Sequence, residues 1–263
     1  MSQVARINDR IFVLTDVVEI DDRITWHIPG TRGYEPYNEY LILNDDRALL
    51  IDSGVALHGS SILSSLKQLV GSRELILYST RIELECIGNH GLINNAFPNC
   101  QIVTANVVPQ AALFHVSGFR STMAPVTHMR MGDNLEEFGF PEIQILQAPL
   151  RMLGTSWLWE SGSRTLFTTD SFNIDMMEKP DDLVFRTNSG SIPRSDFIRE
   201  TLLQKFDWLA LADMDMIKAD WDFLFRRVVP AAIAPIHGRV QIGNEHCQNV
   251  IGVFAKALFA DAY

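Results

Sequence analysis

The pattern of short apolar runs constrains the fold of this chain most. Four runs of strand length fall in the first 51 residues, separated by polar turns. Later runs alternate with segments whose apolar residues have helical spacing. The strand-like runs are 11–14, 24–27, 37–43, 48–51, 75–78, 101–104, 143–146, 157–160, 165–168 and 231–236, and the helical segments are 60–70, 89–97, 194–203, 223–228 and 250–259. Strand clusters interleaved with helices predict an α/β protein of stacked sheets covered by helices.

Composition bounds the function. The 263 residues carry a formal net charge of -10, and 47% of them are hydrophobic. The acidic balance argues against nucleic-acid and anionic-membrane partners, which require clustered Lys and Arg. No apolar run approaches the roughly 20 residues of a membrane span. The N-terminus has no signal-peptide core, and the three cysteines show no CxxC pairing. These features predict a reduced, cytoplasmic setting.

Side chains that can bind metals follow three of the strand-like runs. They are Glu83, Glu85, Cys86, Asp170 and His237. Residues that follow parallel strands meet at one rim of a sheet, so we expect this set to converge. Carboxylate, imidazole and thiolate groups are metal ligands. Arg81, at the start of the first motif, cannot donate an electron pair. The spacing is therefore typical of a metal loop whose ligands have partly changed.

The ordered motifs resemble those of the metallo-β-lactamase fold superfamily, and within it those of the flavodiiron and oxygen-binding diiron proteins. The segments that carry the resemblance are 37–43, 48–54 (ALLIDSG), 85–88 with 96–99, 148–149, 166–172 (LFTTDSF) and 234–238 (APIHG). The resemblance implies a four-layer αββα sandwich formed by one domain over residues 1–263. It also implies a homodimer. With no flavodoxin domain recognised in this chain, FMN is not expected.

The ligands of the diiron branch carry over only in part. Its first motif reads His-x-Glu-x-Asp-His, and this chain has Arg-x-Glu-x-Glu-Cys at residues 81–86. By resemblance, the metal ligands are Glu83, Glu85, Asp170 and His237, and Glu83 is also the candidate catalytic base. Asp170 matches the aspartate that bridges the two irons. The residues that substitute for family ligand positions are Arg81, Cys86 and Met152.

Three accounts of the metal content stay open. In the first, no metal is bound and Arg81 neutralises the surviving carboxylates. In the second, the Arg81 guanidinium stands in for one metal, while Glu85, Asp170 and His237 hold a single Fe, Mn or Zn ion. In the third, two ions are bound.

Three further residues near the motifs also have two readings each. Cys86 is either a ligand or redox-sensing thiol or, as we favour, a small buried filler. Met152 is either a soft thioether ligand or, as we favour, a core residue. His90 either faces the pocket or, as we favour, lies on the surface of the helix that follows the first motif.

Members of the diiron branch bind O₂, or reduce O₂ or NO at two non-haem irons. Because the ligands are altered in this chain, we do not expect it to carry out that reaction. We favour a sensor or partner protein that binds a small molecule, a gas or at most one metal ion. One alternative is a single-metal enzyme, either a hydrolase or an oxygen-activating oxidoreductase. The other is an inactive structural subunit of an oligomer. Whether the chain is an enzyme stays open.

Overall fold

Two sheets dominate the computed structural model, which describes residues 3–21, 24, 26–106, 126–150, 154–187 and 192–260. The first sheet contains, in spatial order, β1 (Gln3–Arg6), β2 (Ile11–Glu19), β3 (Tyr34–Leu43), β4 (Arg47–Ile51), β5 (Glu74–Ser79), β6 (Gln101–Thr104) and β7 (Val126–His128). The second contains β8 (Asn134–Leu135), β9 (Phe140–Gln147), β10 (Ser156–Glu160), β11 (Thr165–Thr169), β12 (Phe185–Arg186), β13 (Ala232–Pro235) and β14 (Val240–Ile242). Its spatial order is β12, β14, β13, β11, β10, β9, β8.

Six helices flank the sheets in the described part of the chain. They are α1 (Gly59–Val70), α2 (Leu84–Ile87), α3 (His90–Ala96), α4 (Ser195–Lys205), α5 (Met214–Phe225) and α6 (Asn244–Leu258). None of the helices among the described residues is long and apolar enough to span a bilayer.

The alternation of side chains along the strands produces four layers. In β3, Tyr40 and Ile42 point into the core between the sheets, while Leu41 points to the opposite face. There Leu41 belongs to the cluster that holds Ile62 and Leu66 of α1. On the outer face of the second sheet, one apolar cluster joins strand residues to the last three helices. Its members include Trp157, Leu166, Ile198, Trp221 and Phe254. The predicted αββα sandwich is confirmed.

The strand predicted over 24–27 is wrong. Ile24, Trp26 and His27 lie outside every strand. The His27 amide donates to the Ile24 carbonyl at 3.3 Å, which closes a turn. This turn directs Trp26 and His27 towards buried Glu35. Apolar periodicity over four residues cannot distinguish such a turn from a short strand.

Helix α5 begins nine residues before the predicted helical segment 223–228. Its start is capped by Asp213, whose side chain accepts a hydrogen bond from the Met216 amide at 3.2 Å. Helix α6 likewise begins at Asn244, six residues before the predicted segment 250–259. The predicted segments miss the exposed polar residues at the starts of these helices, and they run past the helix ends at Phe225 and Leu258.

Parallel pairing brings the site residues to one rim. Strand β4 pairs in parallel with β5, and β11 pairs in parallel with β13. Arg81 follows β5, Asp170 follows β11, and His237 follows β13. The two sheets also meet here directly, because the Asn38 amide of β3 donates to the Ile236 carbonyl at 2.8 Å. The residues predicted from strand ends therefore face one another across the sandwich.

Candidate functional site

Arg81 lies at the centre of the site. Its side chain is 3% exposed. Nη1 forms an ion pair with Asp170 Oδ2, and Nη2 forms one with Glu83 Oε1. Burial acts to lower the pKa of Arg81, but Asp170 and Glu83 outweigh it and raise that pKa above its usual range. The guanidinium is a permanent cation shared by two of the predicted metal ligands.

The two acidic residues of the first motif differ in surroundings. Glu83 is 38% exposed and lies at the edge of the site. Burial nevertheless raises the pKa of Glu83, against the opposing charge of Arg81. Burial also acts to raise the pKa of Glu85, but nearby His237 and Lys205 outweigh it and hold that pKa well below its usual range. Glu85 therefore has the lower pKa of the two and ionises at a lower pH than Glu83.

His237 is fully buried and faces Glu85. Its Nε2 lies 3.9 Å from Glu85 Oε1, too far for a hydrogen bond. The ring packs edge-on against Tyr37 with 4.5 Å between centroids, and at a tilt against Trp26 with 5.2 Å between centroids. Neither ring nitrogen has a hydrogen-bond partner among the residues that the structure describes. The imidazole is therefore packed against two aromatic rings while its nitrogens stay unsatisfied by the described residues.

Lys205, a residue that sequence reasoning missed, also points into the site. It is the last residue of α4, and its side chain is 8% exposed. Its Nζ lies 3.7 Å from Asp170 Oδ2 and 5.5 Å from the centre of the Trp26 ring. A lysine in the last turn of a helix is ordinary, because it interacts favourably with the helix dipole. No sequence signal distinguishes Lys205 from such a lysine.

Glu35 and His27 form a second pair of a carboxylate and an imidazole beside the site. Glu35 of β3 is fully buried, and its Oε1 lies 3.2 Å from His27 Nε2. Trp26 Nε1 donates to Glu35 Oε2 at 3.0 Å. Burial acts to raise the pKa of Glu35, but His27, His237 and Lys205 together lower it. Sequence reasoning missed Glu35 as well, because an isolated glutamate inside a strand has no motif.

Cys86 and Met152 are the other two residues that substitute for family ligand positions, and the structure describes only the first of them. Cys86 is fully buried and packs with Ile87 and Ile236 in a small apolar cluster. Burial raises the pKa of its thiol well above the usual value, which disfavours the thiolate that a metal ligand or redox sensor needs. Met152 falls in segment 151–153, outside the described residues.

His90 is not the surface residue that we expected. It is buried, with Nδ1 2.9 Å from Ser53 Oγ and Nε2 2.7 Å from Ser79 Oγ. It therefore joins the turn after β4 to the end of β5. Burial lowers the pKa of His90 to about 3, so the imidazole is neutral at pH 7. The expectation failed because α3 inserts its first turn between these two segments, a tertiary contact that periodicity does not report.

Asp52, in the LIDSG turn, braces the segment that carries Arg81. Its Oδ1 accepts from the Thr80 amide at 2.8 Å, and its Oδ2 accepts from Thr80 Oγ1 at 2.6 Å. Asp52 itself has a left-handed backbone with φ of 60°, a conformation that Asp and Asn tolerate better than most residues. Burial raises the pKa of Asp52 to about 7.

The side chains do not fit the metal centre that the resemblance implies. Arg81 pairs with Glu83 and Asp170, so two of the four carried-over ligands face a guanidinium. That leaves Glu85 and His237, fewer donors than the three or four protein ligands of a typical site. Within the described ranges, no group of three or more His, Cys, Asp or Glu side chains is arranged to hold an ion.

Comparison with known proteins places the fold. No family model matches the chain, and no curated protein matches its sequence. Among solved structures, the chain is similar to rubredoxin oxygen:oxidoreductase from Desulfovibrio gigas, with a TM-score of 0.74, 18% identity and coverage of 97% of this chain and 61% of that one. A flavo di-iron protein variant from Thermotoga maritima gives a TM-score of 0.71 at 18% identity, covering 99% of this chain and 64% of that one.

A DIM-1 metallo-β-lactamase gives a lower TM-score of 0.60 at 11% identity, with 97% of each chain covered. The chain thus has the metallo-β-lactamase fold, which it shares with these three proteins. It spans less than two thirds of the length of the first two proteins.

Proposed function

We propose that this protein is a metal-independent sensor or partner protein built on a flavodiiron-like fold, in which Arg81 replaces a metal cation. The observation that carries the proposal is the pair of ion pairs from Arg81 to Asp170 and Glu83. A guanidinium presents five donors and no acceptor, so it satisfies carboxylates as a metal would but cannot bind or activate O₂. The diiron reaction of the branch is accordingly not part of the proposal.

The site retains features suited to a small ligand. The ring nitrogens of His237 and the Nζ of Lys205 are buried and lack hydrogen-bond partners in the described structure. Buried polar groups without a partner cost about 1–3 kcal/mol each, so a water or a small polar molecule that contacts either group is favoured. Trp26 and Tyr37 provide aromatic walls beside the same imidazole. A small-molecule or gas ligand would bind here.

The single-metal enzyme is the second candidate, with Glu85, Asp170 and His237 as ligands and Glu83 as base. It is less well supported, because Asp170 already faces both Arg81 and Lys205. The third candidate, an inactive subunit of an oligomer, requires a partner chain. The homodimer, the single domain over residues 1–263 and the cytoplasmic location stay predictions.

Metal analysis tests the proposal. We expect protein purified without added metal, and then dialysed against Fe²⁺, Mn²⁺ or Zn²⁺, to contain well under one ion per chain. Arg81→His restores a nitrogen donor beside Glu83 and Asp170, so we expect it to gain about one ion per chain. Arg81→Lys keeps the cation and is the matched control, expected to stay metal-free. Stoichiometric iron in the unmodified protein would contradict the proposal.

A further inference from the structure

Lys205 and Arg81 approach the same carboxylate oxygen. Arg81 Nη1 pairs with Asp170 Oδ2, and Lys205 Nζ lies 3.7 Å from that same atom. Asp170 is the residue that matches the bridging aspartate of the diiron branch. It is buried, with 3% of its side chain exposed. One oxygen of the carboxylate that matches the bridging aspartate is therefore approached by two side-chain cations.

The Lys205 side chain is held in the site by packing rather than by hydrogen bonds. Its ammonium lies 5.5 Å from the Trp26 ring centre and 5.9 Å from that of Phe206, distances at which a cation is attracted to an aromatic face. Its Nζ has no hydrogen-bond partner among the described residues. A buried ammonium is costly unless nearby negative charge compensates it.

That compensating charge is present. Among the described residues, Arg81 forms ion pairs with two carboxylates of the site, Glu83 and Asp170. Two others, Glu35 and Glu85, also lie within reach of the Lys205 charge. The two basic side chains thus lie among Glu35, Glu83, Glu85 and Asp170, and the imidazoles of His27 and His237 lie beside Glu35 and Glu85.

We infer that the Lys205 ammonium takes the place of a second metal ion, so that both cation positions of the site are occupied by side chains. This inference rests on the proposed function and extends it from one position to two. It predicts that Lys205 excludes divalent cations from Glu85, Asp170 and His237, because an entering ion would have to displace a buried ammonium or lie beside it. Like charges at such short range repel strongly in a low-dielectric site.

Titration with Zn²⁺ of two Lys205 variants tests the inference. Lys205→Met removes the charge but keeps an unbranched apolar chain, and we expect its Zn²⁺ affinity to rise at least tenfold over the unmodified protein. The thermal midpoint of this variant should also rise on adding Zn²⁺. Lys205→Arg is the matched control that keeps the charge, and its affinity and thermal midpoint should not respond. A folded Lys205→Met variant that binds Zn²⁺ no more tightly than the unmodified protein would overturn the inference.

A double variant locates the gained ion. Adding Asp170→Asn to Lys205→Met should abolish the gained Zn²⁺ affinity, whereas its retention would place the ion elsewhere and overturn the inference. If Lys205→Met is too unstable to titrate, Lys205→Gln replaces it with the same expected results. The two proposals fail separately: metal in the unmodified protein as purified contradicts the proposed function, while a metal-free protein whose neutral Lys205 variants also ignore Zn²⁺ contradicts only the role of Lys205.

Discussion

Replacing Arg81 by methionine is expected to lower the free energy of unfolding by about 3–5 kcal/mol. The substitution leaves the buried carboxylate of Asp170 without its closest cation, and Lys205 at 3.7 Å compensates it only in part. Glu83, at 38% exposed, can turn to solvent and contributes less. Urea denaturation at pH 7 measures the loss as a lower midpoint with an unchanged slope.

Two companion variants separate charge from packing. Arg81→Lys keeps the positive charge but loses the planar fork that reaches both carboxylates, so it should lose less stability than Arg81→Met. Arg81→Met combined with Asp170→Asn removes the uncompensated anion together with its partner, and should recover part of the loss. A double variant as unstable as the sum of the two single variants would show that the charge pair is not the cause.

The second large effect is expected in the pH dependence of Asp52. Burial raises the pKa of this carboxyl to about 7 in the folded protein, against about 3.9 in an unfolded chain. Between these values the unfolded state releases a proton that the folded state keeps. Stability from Asp52 is therefore fully present below about pH 4 and is lost as the pH rises towards 7, by about 4 kcal/mol in total.

Asp52→Asn tests this expectation. Asparagine tolerates the left-handed backbone of this position and can keep both contacts with Thr80. We expect the variant to gain stability relative to the unmodified protein as the pH rises from 4 to 7. Because Glu35 and Glu85 shift stability in the opposite sense, the difference between the two urea-denaturation profiles is the quantity to measure. The exposed Asp45→Asn is the control, and a flat difference profile for Asp52→Asn would contradict the expectation.

Much of the architecture could be predicted because its signals are local. The runs at 75–78 and 101–104 end within two residues of the ends of β5 and β6, since buried strands need largely apolar residues. The segment 24–27 was also predicted as a strand, but Ile24, Trp26 and His27 belong to a turn in which Trp26 and His27 contact buried Glu35. Local pattern therefore predicts an element correctly only where no distant side chain competes for it.

The residues of the candidate site likewise fall into a group that the sequence predicts and a group that it does not. Arg81, Glu83, Glu85, Asp170 and His237 could be assembled from the sequence, because strand ends on one rim converge whatever their chemistry. The ion pair from Arg81 to Asp170 followed from opposite charges at converging positions. Lys205, Glu35 and His90 could not be assembled in this way. Their roles depend on where α4, the Trp26 turn and α3 pack against the sheets, and packing over long sequence separations leaves no periodic signal.

The order and spacing of the motifs were thus sufficient to predict the sandwich and to show that a guanidinium stands where a ligand is expected. Only the tertiary structure revealed that a second cation, Lys205 at the end of α4, lies 3.7 Å from the same oxygen of Asp170. The physical reason is that a charge acts through space. Its effect on a buried carboxylate depends on distance and burial, and neither is written in the spacing of residues along the chain.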